Sequence, residues 1–225
     1  MDMNSTEIDQ RLRGLDTACV CDANKVLGLE LKAMDPGIRP IRTGLKLVGR
    51  AHTVRCHDDF LTVIKALADA VPGEVIVIDS QQSSKALTGE LFPTEALRKG
   101  LAGIVNDGPC RDTAAVRAME IPYYARSVTC VPGTTQQLFE TQIPIRCGGV
   151  EVRPGELLFG DDDGVIVGQD QVFAHLIPVA EEIQRKEGLL LEGMAEGKSL
   201  LEMLNFAEHC ARIRAGEESV LEFRV

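Results

Sequence analysis

The chain is short of positive charge, with 24 Lys and Arg against 34 Asp and Glu and a formal net charge of −10 at pH 7. That balance argues against broad contact with nucleic acid or an anionic membrane, so a few local basic residues must meet any acidic ligand. Long apolar runs are also missing. No run of about eighteen apolar residues occurs, and the N-terminal stretch MDMNSTEIDQRLRG is polar from its start. Neither a membrane span nor a secretory signal is therefore expected, and the expected location is cytoplasmic. Internal repeats and low-complexity linkers are absent, so the 225 residues suit a single α/β domain (1–225) with a mixed sheet and a helical tail over roughly 171–225.

Cysteine is present in a form that excludes a disulfide framework. The seven cysteines are odd in number, scattered and mostly in apolar surroundings, as reduced core thiols are. Cys19-Val20-Cys21 is too tight for a zinc knuckle and has no second pair. Cys110 would need a base to act as a nucleophile. None of His52, His57, His175 and His209 has a recognisable partnership with it, so it reads as structural.

The stretch KALTGELFPTEALRKGLAGIVNDGPCRD, residues 85–112, organises the rest. It reads as loop, helix, buried strand, glycine turn and the start of a second helix. Gly89 can bring the backbone close to a ligand. Leu91, Ala96 and Leu97 give the next segment an apolar helical face, Pro93 is tolerated in its first turn, and Gly100 stops it. The apolar run 101–105 suits a doubly covered strand, and Asn106-Asp107-Gly108-Pro109 is a turn signal. A second helix then runs through Ala114, Ala115, Val116 and Met119 to Ile121-Pro122. Two helix N-termini, at Gly89-Glu90-Leu91 and near Asp112, are expected side by side at strand ends, where N–H groups favour an anion. Arg111 adds a planar fork for a carboxylate or enolate oxygen, and Asp112 a hard oxygen for a divalent cation. The competing reading of Arg111-Asp112 is a surface pair with a capping role.

Elsewhere, helices are expected from Ser5-Thr6-Glu7 to Gly14 and from Asp16-Thr17 through Leu27. Residues 46–56 read as a strand with a glycine bend. His57-Asp58-Asp59 caps a helix bearing Phe60, Val63, Ile64, Leu67 and Ala68, and 74–79 is the clearest buried strand. The polar loop 80–88 forms one wall of the site. Lys85 within it reads as a solvated lysine, since a Schiff-base lysine must be desolvated. Tyr123-Tyr124-Ala125 and short segments between 144 and 167 read as strands. Asp161-Asp162-Asp163-Gly164 is a hairpin turn that lacks the alternating ligands of a calcium loop. The tail from Gln171 to about His209 is amphipathic. With Leu189, Leu190, Leu191, Leu200, Leu201 and Leu204 it holds more apolar surface than one core needs, which points to a homo-oligomer.

GEL followed by RKGLAGIVNDGPCRD resembles the signature of the class II 4-hydroxy-4-methyl-2-oxoglutarate aldolases, which share a fold with the ribonuclease activity regulator RraA. Twenty residues separate Glu90 from Arg111, as in that signature. GGVEVRPGELLFGDDDGVIV resembles later elements of the same family, with Glu156 where Asp is usual, so the resemblance covers about 16–170. The regulators carry glycine in place of the acidic residue and a further acid three positions after the Asp. Here those positions are Glu90 and Ala115.

The resemblance implies a single-domain α/β/α swivelling-type (RraA-like) fold. It also implies a lyase that cleaves a 2-oxo acid to pyruvate by retro-aldol reaction or oxaloacetate decarboxylation, dependent on Mg²⁺ or Mn²⁺. Asp112 would anchor the metal, Arg111 would stabilise the enolate, and the Gly89, Glu90 and Leu91 amides would hold the substrate carboxylate. Glu90 would orient a water for proton transfer. Trimers or hexamers with sites near subunit interfaces are implied too. Asp22-Ala23 resembles a pair near the family's start, with capping, packing and substrate-side roles all open. The alternatives are a non-catalytic regulator that binds a ribonuclease, and a sugar-acid dehydratase using the same metal site.

Overall fold

The ends of the early helices are set by local chemistry. In the computed structural model, which describes residues 3–224, α1 (Ser5–Leu12) begins at the residue expected to cap it, and the cap is Asn4, one residue earlier. Asn4 Oδ1 accepts the Glu7 N–H at 3.0 Å. α2 (Thr17–Leu27) starts as expected at Asp16, which accepts the Cys19 N–H at 2.7 Å, and stops at Gly28 with φ 64°. Two short strands follow, β1 (Lys32–Ala33) and β2 (Arg39–Pro40).

β3 (Leu47–Arg55), β4 (Glu74–Asp79), β5 (Gly103–Cys110) and β6 (Tyr123–Val128) form the parallel centre of the sheet. β7 (Ile145–Cys147) and β8 (Val150–Val152) make a separate hairpin. β9 (Leu157–Gly160) and β10 (Val165–Gly168) are joined by the tight Asp161–Gly164 turn expected there. The main sheet is mixed, in the order β1-β10-β9-β3-β4-β5-β6-β2.

β4 shows why the centre is legible. Val75 and Val77 pack on one face, Ile76 and Ile78 on the other, and all four are fully buried. Each such side chain contributes about 1.5–3 kcal/mol by leaving water. Gly49 in β3 makes no bend. A Cβ there would lie 2.5 Å from Gly73 O and 2.7 Å from Ala102 Cβ, so glycine is required by close packing.

One face of the sheet is covered by helices. α3 (Leu61–Asp69) and α4 (Leu91–Arg98) pack over Val54, Ile76, Ile78 and Ile104. α1, α2 and the long α6 (Asp170–Ala195) pack over Val48, Leu157, Phe159 and Ile166. The β7–β8 hairpin, through Ile145, Cys147 and Val152, closes the other face. Beyond α6 come a 3₁₀ turn, Leu200–Met203, and α7 (Phe206–Arg214). The first half of α6 buries Phe173, Leu176, Ile177 and Ala180 in its own chain, whereas Leu191, Met194 and Leu201 are exposed. No helix among the described residues is long and apolar enough to cross a membrane.

Candidate functional site

The strand expected to end at Val105 continues to Cys110. The turn signal is instead a bulge, because the register against β6 steps from Asn106 opposite Ala125 to Pro109 opposite Ser127. Pro109 has no N–H to give the ladder, and Asn106 Nδ2 donates to Pro109 O at 3.1 Å across the bulge. Gly108 fits here because a Cβ would lie 2.6 Å from Ser80 Cβ. The bulge carries Arg111 and Asp112 out of the carboxyl end of the sheet.

The loop after β4 returns along this end. Leu87 N–H donates to Pro109 O at 3.3 Å, and Arg111 N–H to Thr88 O at 3.1 Å. Thr88 and Cys110 are thereby paired, and the next residues, Gly89 and Arg111, meet. A Cβ on Gly89 would fall far inside contact distance of Asp112 Oδ2 and 3.1 Å from Arg111 Nε. The Glu90 N–H donates to Asp112 Oδ2 at 3.3 Å, and Arg111 Nε lies 3.4 Å from the same oxygen. The structure therefore brings Gly89, Glu90, Arg111 and Asp112 together. Arg111 and Asp112 are each about two-fifths exposed (40% and 39%), so their ion pair adds little stability and remains open to a ligand. Asp112 stands at the N-cap position of α5 (Thr113–Val116) yet makes no side-chain cap bond, and its φ is 55°. That departs from the capping reading: its carboxylate reaches across to Glu90, from a strained backbone.

Three expectations need correction. α5 is a single turn, so the second helix N-terminus is too short to act as an anion site, and the helix expected through Met119 stops at Val116. α4 begins at Leu91 with Glu90 as its cap, and Gly100 (φ 70°) ends it with paired bonds from Leu101 N–H to Ala96 O and Gly100 N–H to Leu97 O. Its buried residues are Pro93 and Ala96, while Leu91 is 73% exposed and Leu97 is exposed as well. Leu91 does not pack inward because its side chain joins Phe60, Ile64 and Phe92 along an open apolar groove between α3 and α4. Ile64 and Ala68, expected on the packed face of α3, are exposed.

Lys85 Nζ pairs with Asp58 Oδ2 at 3.2 Å, as a partly solvated lysine does. Cys110 is buried, and burial pushes its thiol up, which agrees with a structural role. Asp22 is exposed in mid-helix, with capping done by Asp16. Within its own turn, Asp161 Oδ1 accepts the Asp163 N–H at 3.1 Å. Its carboxylate also accepts Thr17 N–H and Oγ1 at 2.8 and 2.7 Å and Lys46 Nζ at 3.1 Å, tying α2 to the sheet. A polar cavity of about 520 Å³ lies at the ends of β4 to β6, among Asp79, Gln81, Asp107, Arg126 and Arg146. Sequence reasoning did not find it, and none of Gly89, Glu90, Arg111 and Asp112 lines it.

A divalent ion would find one protein ligand in this corner. Among the described residues no three His, Cys, Asp or Glu converge. The corner instead offers a single carboxylate, that of Asp112, 39% exposed and packed so closely over Gly89 that no Cβ would fit between them. Mg²⁺ is commonly held by one or two carboxylates while water and substrate oxygens complete its shell.

Residues 17–167 match the family model RraA-like, described as Aldolase/RraA. The chain belongs to the RraA-like family. The match spans nearly the same residues as the motifs. A Halalkalibacterium halodurans protein provisionally named 4-hydroxy-4-methyl-2-oxoglutarate aldolase is 36% identical over 176 residues, 75% of this chain and 82% of that protein. The RNA-processing inhibitor RraA from Thermus thermophilus superposes with a TM-score of 0.61 at 30% identity, covering 66% of this chain and 90% of that one. A Pseudomonas syringae protein described as uncharacterised gives 0.77 at 26% identity, covering 90% and 98%. The fold is thus the RraA-like mixed α/β fold, here layered as helices, main sheet and β-hairpin.

Proposed function

We propose that this RraA-like chain is a divalent-metal-dependent lyase that cleaves a 2-oxo acid to pyruvate. The observation that carries the reading is the convergence of both halves of the motif on one oxygen, Asp112 Oδ2, beside Glu90 N–H and Arg111 Nε. When bound, Mg²⁺ or Mn²⁺ supplies a Lewis acid at the substrate's 2-oxo group, and Asp112 is the residue that would hold it. Arg111 places its guanidinium where negative charge develops on the oxo oxygen as the C–C bond breaks. The Gly89, Glu90 and Leu91 amides, in the turn that opens α4, serve the substrate carboxylate, Leu91 through its backbone alone. Glu90, with an exposed side chain, handles the proton at the pyruvate carbon through water.

Incubation with oxaloacetate or a 4-hydroxy-2-oxo acid should release pyruvate. EDTA should stop the reaction and Mg²⁺ or Mn²⁺ should restore it; full activity in EDTA would refute the reading. The likeness to an RNA-processing inhibitor supports a second reading, a regulator that docks on basic ribonuclease segments through its net negative charge. Glu90 and Ala115 stand against it. Capture by a basic ribonuclease tail at near-physiological salt, without pyruvate release, would favour it. The exposed Leu191, Met194 and Leu201 support a trimer or hexamer, which sedimentation at assay concentration would test.

A further inference from the structure

Directly beneath the site lies a buried polar cluster that the reaction does not use. Thr88, Asn106, Cys110 and Tyr123 are each at most 2% exposed. Asn106 Nδ2 donates to Thr88 Oγ1 at 3.1 Å as well as to Pro109 O at 3.1 Å. Thr88 Oγ1 is hydrogen-bonded to the Tyr123 hydroxyl, and the Thr88 backbone pairs with that of Cys110, whose buried side chain belongs to the same core cluster as Tyr123. Two of the four residues adjoin the site in sequence. Thr88 precedes Gly89, and Cys110 precedes Arg111.

Stability alone does not explain the cluster. Asn106 Oδ1 is buried with no partner among the described residues, and an unsatisfied buried polar atom is destabilising where an apolar side chain would not be. What the cluster provides is registry. It fastens the bulged end of β5, the returning loop and β6 at one point, from which one residue leads to each half of the motif.

We propose that Asn106, Thr88, Tyr123 and Cys110 form a positioning clamp that fixes Gly89-Glu90 against Arg111-Asp112. The functional consequence rests on the reading above, because displacement of a reacting group by about 1 Å can lower a rate roughly 100-fold. Thr88→Val keeps shape and removes the hydroxyl, Tyr123→Phe removes one oxygen, and Thr88→Ser restores the hydroxyl.

The test is amide hydrogen exchange by NMR on the full chain, with kinetics alongside. In Thr88→Val and Tyr123→Phe, exchange at the Arg111 and Glu90 amides should rise on the order of tenfold. The β4 amides should stay as protected as before, and Thr88→Ser should return the wild-type pattern. kcat should fall roughly 10- to 100-fold while KM stays within about twofold. If Thr88→Val does not fold, Tyr123→Phe reads the same amides. Unchanged exchange at Arg111 and Glu90, or a rise shared equally by β4, overturns the clamp. Locally faster exchange in the variants of a protein whose wild type itself releases no pyruvate upholds the clamp and overturns the lyase reading instead.

Discussion

The two ends of the parallel strands treat the same backbone problem differently. At the amino ends, left-handed positions are held by glycine: Gly44 before β3 (φ 80°), Gly73 before β4 (φ 86°) and Gly100 before β5 (φ 70°). At the carboxyl ends they are held by Asp58, Gln81, Gln82 and Asp112, with φ of 55°, 49°, 60° and 55°. Glycine enters that region without a Cβ clash, whereas other residues lose roughly 1 kcal/mol or more each. The amino end is thus built for stability and the carboxyl end tolerates strain where side chains are needed, which is the edge where open α/β sheets bind ligands.

The sharpest contrast uses one substitution at each region. Gly89→Ala places a methyl group against Asp112 Oδ2, so kcat/KM for pyruvate release should fall on the order of 100-fold with little change in Tm. Gly49→Ala drives a methyl group into Gly73 O and Ala102, so it should lower stability by about 1–3 kcal/mol in denaturant unfolding. Activity per folded molecule should then be unchanged. Equal loss of activity from both would dissolve the distinction.

A smaller effect is expected at the strained loop. Gln82→Gly should raise unfolding free energy by up to about 1 kcal/mol, since glycine accepts φ 60° without a clash. The smallest expected contribution concerns pH. Burial pushes the Asp59 and Asp161 carboxyls up. The Gln136 N–H and Thr134 hydroxyl at Asp59, and the Thr17 hydroxyl and N–H at Asp161, outweigh it and hold both below the ordinary 3.8. The stability these groups contribute is present above 3.8 and is lost as pH falls through their lower folded values. Tm should therefore drop below about pH 4, and Asp161→Asn should flatten that drop.

Legibility followed the range of the signal. Asp16 and Gly28 around α2, Gly100 after α4, and the apolar run of β4 are local, and the sequence reading of each agrees with the structure. The Glu90 to Arg111 spacing marked residues that do meet, although nothing local showed Asp112 in a left-handed conformation. Asn106-Asp107-Gly108-Pro109 misled because its turn chemistry serves a bulge whose existence depends on pairing with β6. Leu91 and Ile64 have helical spacing but face outward, since periodicity fixes a face and not what covers it. Thr88, Asn106 and Tyr123 carried no motif at all, because their partnership exists only once three segments meet.

Asp112→Gly tests the central claim most directly, because it removes the carboxylate and the backbone strain together. Measured side by side with the wild type for pyruvate release and for Tm, the variant should lose activity while Tm holds or rises. An Asp112→Gly protein that still releases pyruvate at the wild-type rate in the presence of Mg²⁺ would contradict the assignment of this edge of the sheet as the reaction site.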